Sequence, residues 1–311
     1  MDIDALVAGV IGGNRRAVAR AISLVEDGGA YLERLSAGIH ANTGRSATIG
    51  LTGAPGVGKS TLAGGLVAVA RRHGLRTAVL AVDPTSPYTG GALLGDRVRM
   101  QSHATDPDVF IRSMATRGHL GGMALAAPAA VRVLDAAGYD RVIVETVGVG
   151  QAEVDVASAT DTSVVVLAPG FGDAVQVAKA GILEIADVYV VNKADRDGAD
   201  EVVRDLRQML ALGAERPWSP PILTTSATAE EGIDEVWATI ERHHAWLADS
   251  GELARTRRAR ARREVEALAA ARFRAAVALA ATDELADELE AGRLDPYAAA
   301  EELTRRVLDG R

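Results

Sequence analysis

The stretch Gly53-Ala-Pro-Gly-Val-Gly-Lys59-Ser60 has the residue types and spacing of a phosphate cradle, G-x-x-x-x-G-K-S/T. Glycines let a backbone wrap an anion and turn its N–H groups inward. A helix starting where the loop ends adds the positive end of its dipole. Lys59 would carry a mobile charge to the β- and γ-phosphates. Ser60 would place a hydroxyl on Mg²⁺, with Thr61 beside it on the first turn. The expected nucleotide contacts therefore run through Gly53, Ala54, Pro55, Gly56, Val57, Gly58, Lys59, Ser60 and Thr61.

A second pattern, Asn192-Lys193-Ala194-Asp195, reads N-K-x-D. An ionised Asp only accepts hydrogen bonds. Asp195 thus matches the two adjacent donors of guanine, N1–H and the N2 amino group, and meets adenine badly. A buried mismatch of that kind is what makes a site selective. Asn192 can bridge to N7 and to neighbouring loop groups, and the Lys193 stem can pack on the base. Downstream, Thr225-Ser226-Ala227, with Thr228 after it, matches an S-A element whose backbone N–H meets the guanine carbonyl. The three patterns stand in the order a GTP site requires.

Carboxylates for a cation follow from strand ends. Glu145-Thr146-Val147-Gly148 stands where small GTPases carry D-x-x-G, so Glu145 can hold Mg²⁺ through water and the Gly148 N–H can reach the γ-phosphate. Asp83 closes a candidate strand before Pro84, a position that points into the ligand crevice of an open α/β sheet. The bland alternative is a turn cap. Asp96 lies in the glycine-rich run Gly90-Gly-Ala-Leu-Leu-Gly-Asp and is expected to contact Mg²⁺ or its water, the alternative being a solvated loop carboxylate. Hydrolysis needs an oriented water, and Ras-like proteins use the Gln next to the D-x-x-G glycine. Here Val149 occupies that place and Gln151 comes two residues later. The chemistry implied is slow GTP hydrolysis that depends on a group from another loop or a partner.

These residues need a doubly wound, mostly parallel α/β sheet of the P-loop type to hold them. Short β-branched runs alternate with helical stretches. The candidate strands are Thr48 to Leu51, Thr77 to Val82, Val109 to Arg112, Arg141 to Glu145, Ser163 to Ala168, Val188 to Val191 and Ile222 to Thr225. Several are continuously apolar, as parallel strands covered on both faces must be. Residues 1–45 read as a helical extension, with Asn14 capping a second helix after the Gly12-Gly13 break. Residues 46–248 form the nucleotide domain. Residues 249–311 read as helices, with a break at Gly292 to Pro296 before a final short one.

Composition narrows the class. Of 311 residues, 34 are Lys or Arg and 42 are Asp or Glu, a net charge of −8 that disfavours a general nucleic-acid binder. No cysteine is present, which excludes disulfides, thiolate metal sites and Cys nucleophiles. No signal peptide or apolar span is read, so the expected place is the cytoplasm, away from membranes. The arginines of the run Arg255 to Arg263 are expected on a solvated helix face or a dimer contact. Six histidines show no ligand spacing, and the adjacent pair His243-His244 points to different helix faces.

The series Gly53-Ala-Pro-Gly-Val-Gly-Lys-Ser-Thr61, Val82-Asp-Pro-Thr-Ser-Pro, Thr89 to Met100, Glu145-Thr-Val-Gly-Val-Gly-Gln151, Pro169 to Gly181 and Val191-Asn-Lys-Ala-Asp195 resembles the MeaB/ArgK family of G proteins, whose human member is the methylmalonic aciduria type A protein. The resemblance covers nearly the whole chain. It implies a GTPase chaperone that gates adenosylcobalamin loading and protects an acyl-CoA mutase, usually methylmalonyl-CoA mutase. It implies a homodimer joined largely through C-terminal helices. It places Asp83, Asp96 and Glu145 in the magnesium and switch region, and makes Lys179 a lysine that supports activated hydrolysis. The alternative is a nucleotide-switched metallochaperone or a transporter-associated regulatory G protein or kinase.

Overall fold

The computed structural model describes residues 1–84, 105–116, 123–146, 159–170, 185–213, 216–281 and 283–309. Seven strands form one parallel sheet: β1 (Ala47–Thr52), β2 (Thr77–Pro84), β3 (Val109–Thr116), β4 (Arg141–Thr146), β5 (Thr162–Leu167), β6 (Val188–Asn192) and β7 (Ile222–Thr225). Their order is β3-β2-β4-β1-β5-β6-β7, with every pair parallel. All seven candidate strands are therefore present. β1, β5 and β6 are buried along their whole length, as the apolar runs required.

Alternation along each strand assigns the helices to faces. Ile49, Leu51, Val79, Ile143, Val164, Val166, Val188 and Val190 point to one side, covered by α4 (Lys59–Arg72) and α7 (Ile233–Asp249). On the other side Ala78, Leu80, Val82, Val142 and Val144 meet α1 (Ile3–Ile11), α2 (Arg15–Asp27), α3 (Tyr31–Ile39) and α5 (Met123–Ala136). Val165, Leu167, Tyr189 and Val191 on that same side are covered by α6 (Ala199–Leu212).

The N-terminal helices share the sheet's own core: Leu6, Val18, Ile22, Val25 and Leu35 are buried there, whereas Ile11 is exposed. The Asn14 carboxamide oxygen accepts from Arg16 N and Ala17 N and caps α2. A second break, at Gly28-Gly29, is present as well; both glycines have positive φ, at 69° and 103°. Arg112 of β3 pins α2 from below, donating to Ala19 O at 3.0 Å, Ser23 Oγ at 2.8 Å and Glu26 Oε2 at 2.5 Å.

Residues Met1–Arg260 form one compact unit and Ala261–Arg311 another. α8 (Glu252–Ala280) starts in the first and continues into the second. The second unit holds α9 (Asp283–Glu290) and α10 (Pro296–Leu308). Asp295 caps α10, with Pro296 at its first position. The expected break at Gly292 to Pro296 is there, and a further one separates α8 from α9. Among the described residues no helix is long and apolar enough to cross a membrane.

His243 on α7 sits at the strand-start end of the sheet. Its Nδ1 faces the Thr162 hydroxyl at 2.8 Å, and its Nε2 lies 3.6 Å from the Asp187 carboxylate. Trp218 and Trp246 flank the ring, with centroids at 4.8 and 5.7 Å. Burial, then the charge of neighbouring His244, pushes His243 down to about 4, while Asp161 opposes weakly. Burial pushes Asp187 up to about 6. The neutral ring gives stability that is complete above its ordinary value of 6.5 and is lost as pH falls through about 4. Asp187 runs the other way: its contribution is complete below 3.8 and is lost as pH rises through about 6. His243→Gln removes only the first effect. Its destabilisation, measured by urea midpoints, is expected to be largest near about pH 7.5 and to shrink towards about pH 4.5. A gap that stays constant over that range would show that the ring is not held neutral.

Candidate functional site

The direction of the crossovers changes at β1: the chain leaves it towards β2 on one side, and β5 to β7 lie on the other. Ligands of open α/β sheets bind outside the strand ends at such a point. The glycine loop leaves β1 there and runs directly into α4, which begins at Lys59.

Three glycines of the loop have positive φ: Gly53 at 138°, Gly56 at 82° and Gly58 at 100°. Two also sit where a side chain has no room. A Cβ on Gly53 would stand 2.1 Å from Val166 O of β5, and one on Gly58 would stand 2.2 Å from Asn192 Nδ2. Val57 between them is fully buried and anchors the loop in the core. Lys59 Nζ lies inside the loop, donating to Gly53 O at 2.7 Å and Ala54 O at 3.0 Å.

Ser60 and Glu145 meet. The Ser60 hydroxyl donates to Glu145 Oε1 at 2.5 Å, and both residues are buried. Glu145 is paired in register with Leu51 on β1 and Ala81 on β2. Its longer arm lets it reach the first turn of α4 from the neighbouring strand. Two hard oxygen donors facing each other fit Mg²⁺. Among the described residues no group of three or more His, Asp or Glu could hold a metal by itself. A cation at this pair would take its remaining ligands from nucleotide oxygens and water, which is the usual mode for Mg²⁺. Asp83 lies at the end of β2, but its side chain is outside the described residues, as are Asp96, Gly148, Gln151 and Lys179.

The Asn192–Asp195 segment closes on the same loop. Asn192 ends β6 opposite Thr225 of β7. Its Nδ2 donates to Val57 O at 2.8 Å, and its Oδ1 accepts from Thr225 Oγ1 and Ala227 N, both at 3.1 Å. Lys193, at φ 58°, donates through Nζ to Gly56 O at 2.6 Å. Asp195 Oδ1 accepts from Ser226 Oγ at 2.8 Å. That hydroxyl, more than any other neighbour, holds the Asp195 carboxyl below the usual carboxylate range, so at neutral pH it is an acceptor only.

The structure brings the glycine loop, Asn192, Asp195 and Ser226 together. Asn192, expected to bridge to N7 and to neighbouring loop groups, makes three hydrogen bonds, to Val57, Thr225 and Ala227. In the S-A element Ser226 N donates to Glu231 O and Ala227 N donates to Asn192 Oδ1. Thr228 is exposed beside them. The Ser226 hydroxyl as the group that orients Asp195 was not foreseen.

Comparison with known proteins agrees with this geometry. The sequence profile of the family described as "Methylmalonyl Co-A mutase-associated GTPase MeaB" matches residues 18–282. The chain belongs to the MeaB family. It is 46% identical to a protein of Pyrococcus abyssi named as a GTPase, over 99% of this chain and 98% of that one. The GTPase ArgK of Escherichia coli is 40% identical, over 79% and 77%. The mitochondrial methylmalonic aciduria type A homolog of Mus musculus is 37% identical, over 82% of this chain and 66% of that one. A solved structure named LAO/AO transport system kinase is 27% identical, covers 98% and 97%, and superposes with a TM-score of 0.69. This MeaB-family chain is thus a P-loop GTPase.

The loop geometry predicts the effect of one methyl group. Gly53→Ala would force a positive φ on an L residue and drive a Cβ into a backbone carbonyl of β5. The cost should be about 3 kcal/mol of stability, with loss of GDP binding. A thermal midpoint and GDP affinity equal to the unsubstituted protein would refute the close approach.

Proposed function

We propose that this GTPase uses Mg²⁺ and GTP to gate adenosylcobalamin loading of an acyl-CoA mutase, most plausibly methylmalonyl-CoA mutase, and to protect that enzyme. The family match over residues 18–282 carries the partner assignment. The likeness to the Mus musculus homolog supports it. The tie between the glycine loop and the Asn192–Asp195 reader supports the choice of GTP.

In this reading backbone N–H groups of the glycine loop and of the first turn of α4 hold the phosphates. Lys59 turns its ammonium from the loop carbonyls to the β- and γ-oxygens. Asp195, oriented by Ser226, accepts from guanine N1–H and N2. Ser60, Glu145, Asp83 and Asp96 hold Mg²⁺ directly or through water. When bound, the cation neutralises the phosphate charge that shifts during transfer. Gly148 N–H would meet the γ-phosphate, and Gln151 and Lys179 are the nearest sequence candidates for assisting the water. With Val149 in the place of the water-orienting Gln of Ras-like proteins, turnover alone is slow, and the nucleotide state serves as a signal to the partner. Homodimerisation through the C-terminal helices and a cytoplasmic location complete the proposal.

Two experiments bear on it. Asp195→Asn presents a donor to a guanine donor, so GDP affinity should fall at least about tenfold while xanthosine diphosphate binding appears. Unchanged GDP affinity would remove Asp195 from the base site. Separately, GTP turnover measured with and without methylmalonyl-CoA mutase should rise clearly when the mutase is added. No stimulation and no complex in a pull-down would leave only the GTPase. Tight Ni²⁺ binding would instead favour a metallochaperone.

A further inference from the structure

The root of α8 is held by a buried charge cluster that no part of the nucleotide chemistry uses. Asp161, just before β5, has a side chain only 1% exposed. Its Oδ1 accepts from Arg257 Nε at 3.1 Å and Arg260 Nη1 at 3.2 Å. Its Oδ2 accepts from Arg257 Nη2 at 2.7 Å and from Thr48 N, at the start of β1, at 3.1 Å. In return Asp161 N donates to Thr48 Oγ1 at 2.8 Å. The same two arginines grip the backbone around these strands. Arg257 donates to Gly44 O and Ser46 O, both at 2.8 Å, and Arg260 donates to Thr160 O at 2.6 Å. Burial alone would raise the Asp161 carboxyl, but the Arg257 and Arg260 guanidiniums and the Thr48 N–H overcome it and hold it below its ordinary value.

Such a cluster corrects the reading of the basic run. Arg257 and Arg260 are not a solvated face; they turn inward, while Arg255, Arg258, Arg262 and Arg263 stay exposed. Buried ion pairs are weak contributors to net stability, because desolvation offsets the attraction. What they fix well is geometry: a fork-shaped guanidinium on a carboxylate tolerates little rotation. Here the fixed geometry joins three elements. One is β1, whose far end becomes the phosphate loop. The second is β5, whose Val166 carbonyl packs on Gly53. The third is α8, which continues unbroken from this root to Ala280.

We propose that the Asp161–Arg257–Arg260 clasp is a mechanical coupling through which the nucleotide site and α8 bias one another. A change at the phosphate loop is carried along β1 and β5 to the root of α8. By thermodynamic reciprocity, a binder of α8 whose affinity depends on the nucleotide alters nucleotide affinity by the same factor. The inference rests on the nucleotide-site reading above and adds a regulatory route to it.

The test is hydrogen exchange on the full chain, with and without GDP, followed in peptides from the first turns of α8. In the unsubstituted protein GDP should change exchange there by at least about threefold. In Asp161→Asn the nucleotide-dependent difference should vanish, and GDP affinity, measured by calorimetry, should shift by about fivefold. Arg257→Lys with Arg260→Lys keeps the charges but loses the forks, and should uncouple in the same way even if Asp161→Asn folds poorly. Two results overturn the proposal. One is GDP binding that leaves α8 exchange untouched in the unsubstituted protein. The other is a variant whose α8 exchanges faster with and without GDP alike, at unchanged affinity, which marks a purely structural clamp. Failure of the unsubstituted chain to bind any guanine nucleotide would be a different result and would remove the site reading together with the coupling.

Discussion

Much of the site depends on one carboxamide. Asn192 donates to Val57 O in the phosphate loop and accepts from Thr225 Oγ1 and Ala227 N of the neighbouring strand and loop. Those three bonds join the glycine loop to the N-K-x-D segment and the S-A element. The amide is buried, so any bond left unmade would cost its full desolvation. Gly58 is a glycine for the same reason: the Asn192 amide occupies the space a Cβ would need. Lys193 and Gly56 repeat the tie on the outer side. In the proposed site the protein would thus set the distance between base and phosphates before a nucleotide arrives, which limits the entropy lost on binding.

The parallel sheet makes that arrangement possible. Strands β1, β4 and β6 each end in a chemical group, and parallel pairing puts all three ends on one edge. Register then decides which groups meet. Leu51 opposite Glu145 brings the carboxylate level with the start of α4, where Ser60 waits. Asn192 opposite Thr225 brings the reader level with the loop that orients Asp195. The continuous apolar runs that form these strands also bury both sheet faces, so the polar groups are left only at the ends.

That division explains what could be read from the residues. Strands were legible because buried parallel strands have a strong composition signal, and all seven fell where β-branched runs predict them. The glycine loop and N-K-x-D were legible because each needs particular residue types at fixed spacing. Long-range side-chain pairings were not legible. Nothing local in Arg257 or Arg260 distinguishes them from Arg255 or Arg258; the difference is a carboxylate nearly a hundred residues earlier in the chain. Ser226 orients Asp195 from a later strand end, and its hydroxyl carries no local mark of that role. Two breaks were not read from the residues: Gly28-Gly29, where Gly28 ends α2 with a positive φ, and the one between α8 and α9.

The two ends of the sheet follow opposite electrostatic rules. At the strand-start end, charged groups are neutralised in fixed pairs: Asp161 with Arg257 and Arg260, and Arg141 with Glu241 at 2.6 Å. Asp135 is likewise satisfied, accepting from the Gly44, Arg45 and Ser46 N–H groups and the Ser46 hydroxyl. At the strand-finish end the partners are interchangeable. Lys59 rests on carbonyl oxygens that a phosphate can replace, and Ser60 rests on a carboxylate that a cation can share. A low-dielectric interior strengthens both arrangements, but only the second can exchange one partner for another without leaving a buried charge alone. Rigid pairing at one end and exchangeable pairing at the other give the fold a fixed frame against which a change of nucleotide can register.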